Sequence, residues 1–168
     1  ERRIDFSLLH AVILANRDKN FVFAGPYLVE NIPNWLFNMS NVHFTGSIPY
    51  KEMPAMLKGF DVTLIPFKKD EYSGTIFPLK LFEYLGAGKP VVATDFNPDL
   101  KSFTGDTVYY CRDAASFSKA VADAIAENDG QKVEERLAVA NANTWERRVT
   151  QFEEILAEHY PQRTVSFI

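Results

Sequence analysis

The segment Phe77–Thr94, FPLKLFEYLGAGKPVVAT, constrains the fold of this chain more than any other stretch. Leu79, Phe82 and Leu85 recur at helical spacing, a Gly86-Ala87-Gly88-Lys89-Pro90 turn stops that helix, and a short apolar run to Thr94 follows. Just upstream, Asp61–Phe67 (DVTLIPF) is a near-continuous apolar run of strand length, the pattern of a strand covered on both faces. Strand, helix and strand in close succession require parallel pairing with the helix packed on the sheet. The glycines belong to the turn: neither a Walker spacing nor a GxGxxG dinucleotide spacing is present.

The rest of the chain keeps the alternation. Ile4, Leu8, Leu9, Val12 and Ile13 predict a helix ending near Asn16, and Asn20–Ala24 predicts a strand closed by Gly25-Pro26. Pro33–Met39 reads as irregular, with one helical turn carrying Trp35. Val42–Gly46 reads as a strand, and Lys51–Gly59 as a short helix with Met53, Met56 and Leu57 inward and Gly59 as its stop. Strands are expected at Pro90–Thr94 and Thr107–Cys111, with a loop holding Asn97-Pro98. Three helices follow: Ala114–Asn128, capped by Asp113 with Phe117, Val121 and Ile125 inward; Gln131–Ala142; and Thr144–His159, burying Trp145, Val149, Phe152 and Leu156 and ended by Pro161. Five strands alternating with helices predict an α/β fold, a doubly wound parallel sheet with helices on both faces. Ligands of such sheets sit beyond the carboxyl ends of the strands, so the loops after Ala24, Gly46, Phe67 and Thr94 matter most.

Composition narrows the partners. The 168 residues, 46% hydrophobic and 24% charged, suit an ordinary globular domain. A net charge of −4 offers no basis for nucleic-acid binding, which rests on neutralising phosphates. Cys111 is the sole cysteine, so no internal disulfide forms, and its neighbours Val108-Tyr109-Tyr110 make it core packing rather than a nucleophile. No apolar run reaches the roughly 20 residues of a transmembrane segment, and no signal peptide is visible. His10, His43 and His159 lack metal-ligand spacing, Asp70-Glu71 and Glu134-Glu135 read as solvated charge, and no metal site is expected. The chain lacks an initiator Met and enters a helical pattern at once, as expected of a piece of a longer protein.

A helix starting at Pro78 loses no needed N–H at its first position. The free amides of Leu79, Lys80 and Leu81 then point out of the helix end, where the dipole favours an anion by about 0.3–2 kcal/mol. Lys80 adds a full charge if it folds back toward that end. The alternative is that Thr75 or Ser73 caps the helix and Lys80 is simply solvated. Glu83, one turn on, is placed to accept two hydrogen bonds from vicinal hydroxyls, each worth about 1.5–3 kcal/mol. Against this stands a surface i,i+3 ion pair with Lys80, worth a few tenths of a kcal/mol at most.

PLKLFEYLGAGKPVVAT resembles the donor-site segment of retaining glycosyltransferases of GT-B architecture, in which a helix-borne Glu precedes A-x-G-x-P-V-V-A. FVFAGP is similar to the second strand of that domain, NVHFTGSIPYKEMPAMLKGFDVTLIPF to the stretch after it, and TWERRVTQFEEIL to the closing helix, which in the family packs back toward the other domain. The likeness runs from about Asp5 to Tyr160 and is nearest to bacterial enzymes of polysaccharide, capsule or teichuronic-acid type. It implies a Rossmann-like donor-binding domain over residues 1–160, with 161–168 as a tail. It also implies Glu83 as the ribose-binding carboxylate, and amides at Pro78, Leu79 and Lys80 facing the donor diphosphate. The loop Gly46, Ser47, Ile48 and Pro49 would lie against the base through its backbone, with Ser73, Gly74 and Thr75 over the transferred sugar. Thr75 and Lys80 are the residues expected nearest the chemistry.

Two departures from the family stand out. A second Glu often found eight residues before the first is Thr75 here, so the donor-sugar contact must differ. The strand and loop that open the family's domain are also absent; that loop brings basic groups to the diphosphate, and only Arg2 and Arg3 remain near its place. The alternating tail Arg163–Ile168 is a candidate to fill part of that gap.

The resemblance implies an enzyme of hexosyltransferase type that transfers a sugar, with retention, from a nucleoside-diphosphate sugar such as a UDP- or GDP-sugar to a glycan or lipid-linked acceptor. No cofactor is implied, and no Asp-x-Asp metal motif occurs. An N-terminal acceptor-binding domain of the same protein is the expected partner, so this fragment is expected to bind nucleotide and transfer nothing. The expected location is cytoplasmic, with any peripheral contact at the inner membrane face made through the missing half. The rival readings are a sugar-nucleotide epimerase of the same plan, and a non-catalytic nucleotide- or protein-interaction module on a flavodoxin-like sheet.

Overall fold

A computed structural model describes residues 2–127 and 129–160. Nine α-helices and five strands alternate among them: α1 Phe6–Ala15, β1 Phe21–Ala24, α2 Asn34–Phe37, β2 Val42–Gly46, α3 Met53–Lys58, β3 Thr63–Ile65, α4 Glu71–Gly74, α5 Leu79–Gly86, β4 Val91–Thr94, α6 Leu100–Thr104, β5 Val108–Cys111, α7 Ala114–Ala126, α8 Gly130–Ala142 and α9 Trp145–His159. Every strand pair is parallel, with helices on both sides, as the alternation requires.

The expectation of one continuous sheet needs correction. β1 pairs only with β2, and β3, β4 and β5 form a separate sheet in that order. β3 is also shorter than the apolar run Asp61–Phe67. Pro66 has no N–H to donate, and Phe67 turns back to bond Ile65 through its own amide (3.0 Å). The freed end of β3 is met instead by residues 3–5: the Asp5 amide donates to the Pro66 carbonyl (2.8 Å) and the Lys68 amide to the Arg3 carbonyl (2.7 Å).

Two apolar clusters hold these layers. Leu9, Val12 and Ile13 of α1 join Phe117, Ala120, Val121 and Ala124 of α7 and Val92 of β4 in the first. Leu81 and Leu85 of α5 join Ile65, Val91, Ala93, Leu100 and Val108 in the second. Asp113 caps α7 in a capping box with Ser116. Ile125, expected inward, is exposed, and the small Ala120 and Ala124 take the inner face. Gly59 does close α3, at an ordinary φ of −75° rather than a left-handed one.

The turn glycines serve packing as well as chain reversal. Gly88 has φ +70°, and a Cβ there would stand 3.0 Å from Val133 Cγ1 of α8, while one on Gly86 would touch Ala140. Helix α8 thus lies directly on α5 and its turn. Helix α9 behaves differently from expectation. Trp145 is 69% exposed, Val149 47% and Phe152 55%, so the stripe expected to be buried faces outward along most of the helix. Helix α9 ends at His159, and Pro161 and the tail 161–168, including any strand at its end, lie outside the described residues.

Candidate functional site

The start of α5 follows the loop that leaves the carboxyl end of β3, and β4 follows α5. Pro78 is the N-cap of α5, not its first helical residue, and no side chain caps this end. Ser73 and Thr75 are both engaged elsewhere: the Ser73 amide donates to Asp70 Oδ1 (2.7 Å), and the Thr75 hydroxyl donates to the Tyr72 carbonyl (2.9 Å). The capping alternative is therefore absent. The Leu81 amide donates to the Pro78 carbonyl at 3.0 Å, so it is not free as expected. The first turn instead leaves Leu79 and Lys80 as the amides without a partner among the described residues.

Two cations converge beside this end. Lys80 Nζ stands 5.4 Å from the centroid of the buried Phe67 ring, and the Arg3 guanidinium 5.5 Å from the same centroid. Neither is ion-paired among the described residues. Desolvation of the Lys80 stem lowers its pKa from the ordinary lysine value, the nearby Arg3 charge adds to that, and Glu83 works weakly against it. Glu83 is exposed one turn further along, and its carboxylate forms neither the i,i+3 ion pair with Lys80 nor a hydrogen bond to another described residue. Its carboxylate is open to solvent.

The loop leading into α5 is tied down at several points that sequence reasoning missed. The buried Thr94 hydroxyl donates to the Phe67 carbonyl at 2.6 Å, and Asn97 Nδ2 donates to the Ile76 carbonyl at 3.0 Å. Lys69 Nζ reaches both the Arg112 carbonyl (2.9 Å) and Asp95 (3.0 Å), bridging the ends of β4 and β5. Asp70, read as solvated charge, caps α4 through the Ser73 amide, and that bond lowers its carboxyl pKa. Ser73 is fully buried, and its hydroxyl has no hydrogen-bond partner among the described residues. Only Asp70, an acid three residues before Ser73 and outside any strand, carried a signal from which such a cap could have been read.

Gly46 ends β2 on the other sheet, and Ser47 and Ile48 follow it in the loop. Gly46, at φ +69°, accepts the Gly25 amide at 3.0 Å, joining the carboxyl ends of β1 and β2. The hydrogen bonds that the Gly46 carbonyl accepts, from Gly25 and Thr45, come from β2 and the end of β1. The expected site residues therefore fall into two groups: Ser73, Gly74, Thr75, Pro78, Leu79, Lys80 and Glu83 around one helix end, and Gly46, Ser47 and Ile48 at the carboxyl end of β2 and in the loop after it. Cys111 is buried, and the surrounding apolar atoms, then Asp113 and Asp95, push its thiol up to about 11. The histidines are spoken for structurally: His10 packs on Trp35, His43 meets Asn20, and His159 meets the Ile155 carbonyl. No helix among the described residues is long and apolar enough to cross a membrane.

The Glycosyl transferases group 1 family matches residues 2–127. The chain is 36% identical over 95 residues to the Bacillus subtilis (strain 168) glycosyltransferase TuaH, named for teichuronic acid biosynthesis; the match covers 55% of this chain and 24% of that protein. Among solved structures, AviGT4, a glycosyltransferase of avilamycin A biosynthesis, aligns with TM-score 0.55 and 19% identity over 90% of this chain and 47% of its own. The N-terminal domain of Candida albicans trehalose-6-phosphate phosphatase aligns with TM-score 0.60 and 13% identity over 93% of this chain and 46% of its own. Both likenesses show the Rossmann-like fold alone. The chain spans about a quarter of the curated relative and about half of each solved one.

Proposed function

Because the chain belongs to the Glycosyl transferases group 1 family, we propose that it is the donor-binding half of an enzyme that moves a sugar from a nucleoside diphosphate to an acceptor. The observation that carries this reading is the uncapped end of α5. Two free amides and the unpaired Lys80 and Arg3 gather there, with an open carboxylate one turn away. A diphosphate placed at the helix end would meet the Leu79 and Lys80 amides, the dipole and both cations. Glu83 would accept the two ribose hydroxyls. Thr75 and the Ser73-Gly74 turn would lie over the transferred sugar, and the Gly46-Ser47-Ile48 loop would hold the base through backbone groups.

The chemistry asks little of side-chain acids or bases. As the bond from the anomeric carbon to phosphate oxygen breaks, the electron pair leaves with the diphosphate. The helix-end amides, Lys80 and Arg3 would stabilise that charge where it develops. Transfer with retention to a glycan or lipid-linked acceptor completes the proposal, in the cytoplasm and with a UDP- or GDP-sugar as donor. Residues 1–160 form the donor half. The exposed apolar stripe Trp145, Val149 and Phe152 of α9 is the face on which an acceptor-binding half of the same protein would rest.

Titration calorimetry with UDP, GDP and ADP tests the reading on the wild-type chain and on Glu83→Ala. One nucleotide should bind, and the substitution should weaken it at least about tenfold, since each hydrogen bond to a charged acceptor contributes about 1.5–3 kcal/mol. Equal binding by both proteins, or binding of none by the wild type, would sink the proposal.

A further inference from the structure

We propose that Arg148 is a positioning residue: through the ring of Phe77 it holds Pro78 and the free amides behind it, and so couples the nucleotide site to the seating of α9. The proposal rests on the nucleotide-binding reading above. Phe77 immediately precedes the N-cap of α5, and that N-cap has no side-chain hydrogen bond to orient it. Its placement therefore rests on the packing of Phe77, together with the Asn97 tether at Ile76. That ring is held on three sides: stacked on Phe82 at 5.2 Å, met edge-on by Phe103 of α6 at 5.0 Å, and covered by the Arg148 guanidinium at 5.7 Å. Arg148 also covers Phe103, at 5.0 Å.

The guanidinium is aimed rather than loose. It donates to Asn143 Oδ1 at the C-cap of α8 and to Gln151 Oε1 (3.1 Å) one turn along α9. Asn143 is fixed in turn by its own side-chain bond to the Val139 carbonyl (2.7 Å). With two of its donors engaged, Arg148 is held within cation–π distance of both rings. Beyond this junction α9 carries an outward apolar stripe, so Arg148 is the link between the seating of α9 and Phe77. A merely structural aromatic cluster would tolerate any side chain with a similar apolar stem. A positioning cation would not.

The test compares Arg148→Met, which keeps the stem, with Arg148→Lys, which keeps the charge, and with Arg147→Met as a neighbouring exposed control. The nucleotide is whichever of UDP, GDP and ADP the wild type binds. Arg148→Met should weaken its Kd about three- to tenfold, Arg148→Lys should restore most of that loss, and Arg147→Met should bind as wild type. In amide correlation spectra of the free protein, Leu79 and Lys80 should move in Arg148→Met and not in the control, with a thermal midpoint showing that each variant is folded. Binding by Arg148→Met within twofold of wild type, or unmoved Leu79 and Lys80 resonances, overturns the proposal. If Glu83→Ala still weakens binding in that case, the donor site stands without it; if the wild type binds no nucleotide, both readings fall.

Discussion

Replacing Arg136 with Met probes the most tightly buried ionic contact in the described structure. Arg136 is 2% exposed, and its guanidinium donates to Glu127 Oε1, with a longer contact to the Gly88 carbonyl (3.4 Å). Glu127 also accepts from the Tyr109 hydroxyl (2.8 Å) and Lys132 Nζ (3.0 Å). Burial by itself would raise the Glu127 carboxyl pKa, but bonds from Arg136, Tyr109 and Lys132 outweigh that and hold it lowered. Removing one partner of a buried pair typically costs about 3–5 kcal/mol, because the other charge is left in a poor environment. Here Tyr109 and Lys132 remain on Glu127, and Arg136 Nε has no partner to lose, so the low end, about 3 kcal/mol, is expected. At about 2–4 °C per kcal/mol for a chain of this size, the midpoint should fall by about 6–12 °C.

The pH dependence gives the prediction its edge. A carboxyl held below its unfolded value contributes stability that is present above that value and lost as the pH falls through the folded one. The gap between wild type and Arg136→Met should therefore be full at pH 7 and shrink below about pH 4.5. Urea unfolding of wild type, Arg136→Met and Glu127→Gln/Arg136→Met at pH 7 and pH 4 measures all of this. The double variant should recover part of the loss, since no buried charge remains uncompensated. A single-variant cost under about 1 kcal/mol at pH 7, or one that does not change with pH, would refute the reasoning.

Two further outcomes follow from buried groups. The Cys111 thiol, raised to about 11, should carry about 100-fold less thiolate than a free cysteine of value 9.0, so iodoacetamide at pH 8 should label it slowly in the native chain and readily in urea. Its sign is opposite to that of Glu127: stability it contributes is full below 9 and lost as the pH rises through 11. Thr94→Val removes the 2.6 Å bond to the Phe67 carbonyl while keeping volume, and should cost about 1–3 kcal/mol in urea unfolding by leaving that buried acceptor unpaired. A neutral result would mean that solvent reaches Phe67.

The α/β character of this chain was legible because strand and helix periods differ. Val91–Thr94 and Leu79–Gly86 could hardly exchange roles without losing their buried faces. The position of Glu83 on a helix one turn from a helix end was equally local, and it emerged where spacing put it. What spacing could not decide was who competes for each group. Whether Glu83 is paired with Lys80 depends on Phe67, whose ring holds the Lys80 ammonium from 13 positions away. Whether Ser73 or Thr75 caps α5 depends on Asp70 and Tyr72 claiming them first.

The apolar stripe of α9 shows the same division from the other side. Its period identified a helix with one hydrophobic face, since period is a property of consecutive residues. Burial is a property of what lies opposite, and among the described residues most of the stripe meets solvent. Likewise the five strands were each readable, but their division into β1–β2 and β3–β4–β5 was not. A strand's own residues state that it needs a neighbour, and only the assembled chain determines which neighbour it has. The sequence alone therefore determined the elements and the chemical groups available, and the tertiary structure decided which of those groups are left unpartnered and so open to a ligand.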